Sequence, residues 1–136
     1  MEPLHWPESF SVSHKPWYKM LFTADKQYKP TIDYVKRQLI ERDKPDPAWW
    51  GNDPVRFKVA KQVCHRIQER YEWPNDHFIP EDPFDVLFLT PWDDLEVNEV
   101  ILELEDDFRV HLSDAEVADW QGKTLAAVVD SVYSKL

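Results

Sequence analysis

The stretch Thr90–Phe108, TPWDDLEVNEVILELEDDF, decides how the rest of the chain reads. It carries eight carboxylates and no basic residue. Val97, Val100, Ile101, Leu104 and Phe108 recur three and four apart, the period of a helix with one buried face. Glu96, Glu99, Glu103 and Asp106 fall at the same spacing on the remaining surface and form one exposed acidic stripe. Like charges so placed repel by roughly 0.2–0.5 kcal/mol per close pair, so the stripe hints at a use. Two starts compete for this helix. Thr90 followed by Pro91, with Asp93 three residues on, makes one cap, and Asp93 with Glu96 makes the other. Either places carboxylates beside the free amides of the first turn.

Working outward, Ser113 with Glu116 reads as a capping box opening the short run DAEVADW. QGK then breaks the chain, and Thr124 caps a last helix with Leu125, Val128, Val129 and Val132 facing inward. Upstream, PNDHFIPEDPFDVLFLTPW is a long connection whose Phe84, Val86, Leu87, Phe88 and Leu89 pack over the core as a loop with one helical turn. Asp82 and Asp85 lack the spacing and the glycine of a calcium loop, so no metal site is read there. Before the connection, Asp53 and Pro54 give a strong start to VRFKVAKQVCHRIQERYEW. Its buried face is Val59, Ala60, Val63, Cys64, Ile67 and Tyr71. The linker KPDPAWWGNDP precedes it, and before that Ile32, Val35 and Leu39 predict a helix of about three turns entered at Pro30. The first 29 residues have many aromatics and no sustained period, and they read as an arm lying along a surface rather than as a helix.

The whole chain has 136 residues, enough for one core, and its eleven prolines against two glycines imply stiff connections. No apolar run approaches the roughly 18 residues needed to span a bilayer, and MEPLHWPESF lacks the basic start and apolar centre of a secretory signal. A cytoplasmic protein is the expectation. The single Cys64 reads as a buried thiol. Residues 80–136 hold 15 acidic and 3 basic residues, net −12, whereas residues 1–79 carry net +2. Such a field opposes binding to nucleic acid or an anionic membrane and favours a basic protein surface or metal cations.

Long helix, long connection, acidic helix, one-turn helix and final helix is an order that resembles the acyl carrier proteins. The similarity is carried by Asp93-Asp94-Leu95, by Leu104-Glu105-Asp106-Asp107-Phe108 and by Leu112-Ser113-Asp114. These match the family's Asp-Ser-Leu at the second helix entrance, its Leu-Glu-x-x-Phe pattern, and its approach to the short helix. The resemblance covers Asp53–Leu136 and is strongest over the last 44 residues. It implies an all-α fold, an acyl carrier protein-like four-helix bundle at 53–136, with an aromatic and helical N-terminal extension at 1–52. In that family the serine carries a phosphopantetheine arm, and the acidic second helix docks on basic patches of enzymes. Here Asp94 stands where the serine would be, and no serine occurs between Ser13 and Ser113. A carboxylate does not accept the arm by the same phosphoryl transfer. Thr90-Pro91-Trp92 also replaces the family's glycine-containing approach.

The expectation is therefore a noncatalytic interaction module with no cofactor and no metal. Its acidic face would be Asp93, Asp94, Glu96, Glu99, Glu103 and Asp106, and its apolar anchors Trp6, Trp17, Trp49, Trp50 and Trp92. The partner would be a Lys/Arg-bearing protein surface, such as that of a carrier-recognising enzyme. Two alternatives stay open: a genuine carrier with nonstandard attachment, and a small enzyme using Cys64, His65, His77 or His111 with aspartates such as Asp82. Oligomeric state is not legible in the sequence.

Overall fold

Among the described residues the chain forms six helices and one 3-10 turn: α1 (Trp17–Glu41), the 3-10 turn (Pro47–Trp50), α2 (Pro54–Tyr71), α3 (Phe84–Leu87), α4 (Glu96–Phe108), α5 (Asp114–Asp119) and α6 (Leu125–Tyr133). The computed structural model describes residues 1–8, 10, 17–92 and 95–136, with residues 17–28 by their backbone alone. No strand occurs among the described residues, and the fold is all-α.

Helix α2 is central because it packs against both α4 and α6 and also meets the 3-10 turn. Asp53 caps it by accepting the Val55 N–H at 2.9 Å, with Pro54 in the first turn as predicted. All six residues expected on its inner face, Val59 to Tyr71, are buried. The inner face of α6 is likewise buried at Leu125, Val128, Val129 and Val132. Its predicted cap is replaced. The Thr124 side chain makes no capping bond, and the Leu125 and Ala126 amides instead donate to the carbonyls of Asp82 (2.8 Å) and Pro80 (3.0 Å). A loop distant in sequence thus satisfies the helix start, which local pattern does not foretell.

Helix α1 is longer than its periodicity predicts, since it begins at Trp17 and contains Pro30. An interior proline removes one hydrogen bond and crowds the preceding turn, which is why the sequence points to a start there. Met20, Leu21, Ala24, Lys26 and Gln27 are good helix formers and carry the helix through it. Ile32, Val35 and Leu39 are buried as expected, in one apolar cluster with Leu4, Trp50 and the inner faces of α2, α4 and α6. The described residues ahead of the helix, 1–8 and 10, form an arm. The Leu4 side chain is buried, and Gln38 clamps the backbone of His5 through its N–H (3.3 Å) and its carbonyl (2.9 Å).

Arm, α1 and the long connection meet at one buried ion pair. Arg42 donates to Asp82 through Nη1 (2.8 Å) and Nη2 (3.0 Å), and to the carbonyls of His77 (2.9 Å) and Glu2 (2.8 Å). Asp82 also accepts the Leu4 amide at 2.9 Å and the Ile79 amide at 2.8 Å. A buried pair is tolerable when its remaining donors and acceptors are satisfied, as these are. The aspartate that superficially suggests a cation loop is a joint between three segments.

Candidate functional site

At 100° per residue, the thirteen residues of α4 distribute into four faces. Val100, Ile101 and Leu104 are buried in the core, with Val97 and Phe108 packed beside them. Glu96, Glu103 and Asp107 lie on the flank toward α2. Arg66 donates to Asp107 through Nε (2.8 Å) and Nη2 (2.7 Å), and Gln62 adds a bond at 2.8 Å. Arg70 pairs with Glu103 and approaches Glu96 at 3.6 Å. The Arg66 hydrogen bonds hold the Asp107 carboxyl below the usual aspartate range.

The third face points outward and holds Glu99, Leu102 and Asp106, and Leu95, just before the helix, continues it at intervals of four, three and four. Leu95 is 76% exposed and Leu102 is 58% exposed. Glu99 and Asp106 are exposed and make no ion pair within 4.0 Å among the described residues. The predicted stripe of Glu96, Glu99, Glu103 and Asp106 is therefore split. Half of it is occupied by arginines of α2, and the other half is interleaved with leucines. Sequence reading missed Arg66 and Arg70, although their four-residue spacing on α2 matches the Glu103–Asp107 spacing on α4.

The fourth face turns toward α5 and lines a groove of about 580 Å³. Phe84, Val97, Ile101, Val117 and Ala118 line it, and Glu105, His111 and Asp114 bring polar groups to it. Glu105 accepts the Leu112 amide at 2.9 Å and stands 3.1 Å from the His111 ring.

The approach to α4 differs from its prediction. The helix begins at Glu96, so Thr90 is not its cap; the Thr90 hydroxyl stands near the Asp85 carboxylate at 3.3 Å. Asp93 and Asp94 lie outside the described residues. Trp92, just before them, meets Phe10 (5.1 Å between ring centroids) and Trp6 (5.5 Å). Two predicted anchors, Trp6 and Trp92, thus engage each other. Trp50 is only 5% exposed beneath the Arg56 guanidinium, so it belongs to the core and is not an exposed anchor. Trp49 is exposed, and the side chain of Trp17 lies outside the described residues.

Of the nucleophile and base candidates, Cys64 and His77 line one cavity of about 210 Å³ together with Asp76, whereas His65 and His111 line other hollows. His77 Nδ1 faces the Arg42 carbonyl at 3.3 Å, His65 pairs with Glu69 on the surface of α2, and His111 faces Glu105. Cys64 is buried, and burial pushes its thiol well above the ordinary value. No group of three or more His, Cys, Asp or Glu residues able to hold a metal occurs among the described residues. No described helix is long and apolar enough to cross a membrane. No family model, curated protein or solved structure matches the chain.

Proposed function

We propose that this chain is a noncatalytic, carrier-like interaction module whose α4 docks on a Lys/Arg-bearing protein surface. The observation that carries the reading is the sorting of charge around α4. Arg66 and Arg70 engage the acids on one flank, while Glu99 and Asp106 remain outward beside exposed Leu95 and Leu102. Exposed leucines interleaved with carboxylates suit a partner that offers apolar seats among cations. The charges contribute orientation and association rate, and the apolar contacts contribute most of the affinity.

The helix order and the motifs around Leu95, Phe108 and Ser113 support an acyl carrier protein-like bundle. Asp94, in the attachment position, supports a bundle without a prosthetic arm. In this reading the chain has no cofactor and no catalytic residue, and it works in the cytoplasm with its lone thiol inside the core.

The test is affinity capture with the full chain at low and high salt. Glu99→Lys combined with Asp106→Lys is the informative variant, because Glu103→Lys would also break an internal pair with Arg70. A partner that is lost both in this variant and at high salt, and kept by a Lys58→Glu control, is the expected result. Capture indifferent to salt and to the reversal would sink the proposal. Intact mass after incubation with a phosphopantetheinyl transferase and coenzyme A should be unchanged, and a mass gain would establish a genuine carrier instead.

A further inference from the structure

The groove between α4 and α5 is lined by apolar side chains mixed with polar ones, among them Asn98, Glu105, His111 and Asp114, and that mixture suits an occupant with one apolar face and cationic flanks. Phe84 and Ile101 form its buried floor, Val97 and Val117 are half-buried in its walls, and Leu102, which also lines the groove, is largely exposed. Glu105 and Asp114 lie along the groove, and Glu99 and Asp106 stand on the adjoining outward face. The surrounding segment, residues 80–136, carries net −12. That charge opposes an anionic lipid or a nucleic acid. A second copy docked through the same face in a two-fold pairing would set one acidic face against another.

A partly apolar groove running beside a helix suits an amphipathic helix laid along it. Helix α4 has thirteen residues. At 1.5 Å per residue it is about 20 Å long, which matches about four turns of a partner helix. Such a helix seats side chains at positions i, i+3, i+4 and i+7 in an apolar groove.

We propose that the groove receives the apolar face of a cationic amphipathic helix of a partner protein, with its lysines or arginines meeting Glu99, Asp106 and Asp114. The inference rests on the reading of α4 as a docking face and adds the form of the partner.

The probe is a labelled synthetic peptide of about 15 residues with leucines at i, i+3, i+4 and i+7 and lysines on both flanks. Fluorescence anisotropy with the full chain compares it with a scrambled peptide and with one in which glutamates replace the lysines. Saturable binding by the lysine peptide alone, weakened at least about tenfold by raising the salt, is expected. Ala118→Trp adds bulk from an exposed position in the groove wall and should weaken binding at least about tenfold. Circular dichroism checks that the variant folds. If binding survives Ala118→Trp but fails in Glu99→Lys with Asp106→Lys, the groove is not the seat while the docking face stands. Equal binding of the scrambled or glutamate peptide, or none by the lysine peptide, overturns the inference. A concentration-dependent dimer that Ala118→Trp abolishes would assign the groove to a second copy and overturn it as well.

Discussion

Asp107 shows how one residue joins fold and surface. Hydrogen bonds from Arg66 lower its folded pKa below the ordinary aspartate value, with a further bond from Gln62. The sign follows from linkage. A depressed carboxylate contributes stability that is fully present above the unfolded value of about 3.9 and is lost as pH falls through the lower folded pKa. Melting temperature measured against pH should therefore fall through that window in the natural protein. Asp107→Asn should begin less stable at neutral pH and show a flatter acid limb, so that the two curves converge under acid. Parallel curves down to the lowest accessible pH would refute this role for the pair. The aspartate itself was legible in the sequence as part of an acidic helix, but its partner, 41 positions away, was not.

At the scale of the element, α5 is the weakest wall of the groove because six residues are too few for a helix to persist alone. Its serine cap is present: Ser113 Oγ accepts the Glu116 amide at 3.2 Å, and its hydroxyl donates to the Glu116 carboxylate at 3.2 Å. Lys135 adds a tie to Glu116 at 2.8 Å. Ser113→Ala should cost about 0.5–2 kcal/mol in urea unfolding. Amide exchange should quicken at residues 114–119, and unchanged exchange there would refute the cap. The Ser113 cap, the Asp53 start of α2 and the faces of α2 and α6 were all legible, since each depends on neighbours within a few residues. The start of α1 was not, because a proline signal competed with the helix propensity of the residues before it.

Across the whole molecule, the arm belongs to the same core as the helices. Leu4 joins the apolar cluster, its amide donates to Asp82, and Arg42 holds both Asp82 and the Glu2 carbonyl. Leu4→Ala should cost about 2–5 kcal/mol, the range for truncating a buried leucine. Tryptophan fluorescence and far-ultraviolet circular dichroism should still report coincident transitions in the natural chain. A loss well under 1 kcal/mol would show that the arm is held only loosely. The same wrapping brings Trp6 and Phe10 onto Trp92, beside the position that Asp94 occupies in the sequence. The aromatic residues of the arm and the approach to α4 therefore meet within one chain.

By itself the sequence determined the all-α class, the order of α2, α4, α5 and α6 and the buried faces of α2 and α6, because helical period and capping act over one or two turns. It also determined that no serine stands between Ser13 and Ser113, which motivates the proposal of a carrier-like domain without its arm. Tertiary structure alone decided which acids of α4 remain outward. That choice depends on Arg66 and Arg70 of α2 reaching across to a second helix. Only the fold could place Trp50 inside, bring Asp82 onto Arg42, and leave Leu95 and Leu102 exposed. These are contacts between residues far apart in the chain, where the reach of a side chain and the packing of its neighbours determine what a local pattern leaves open.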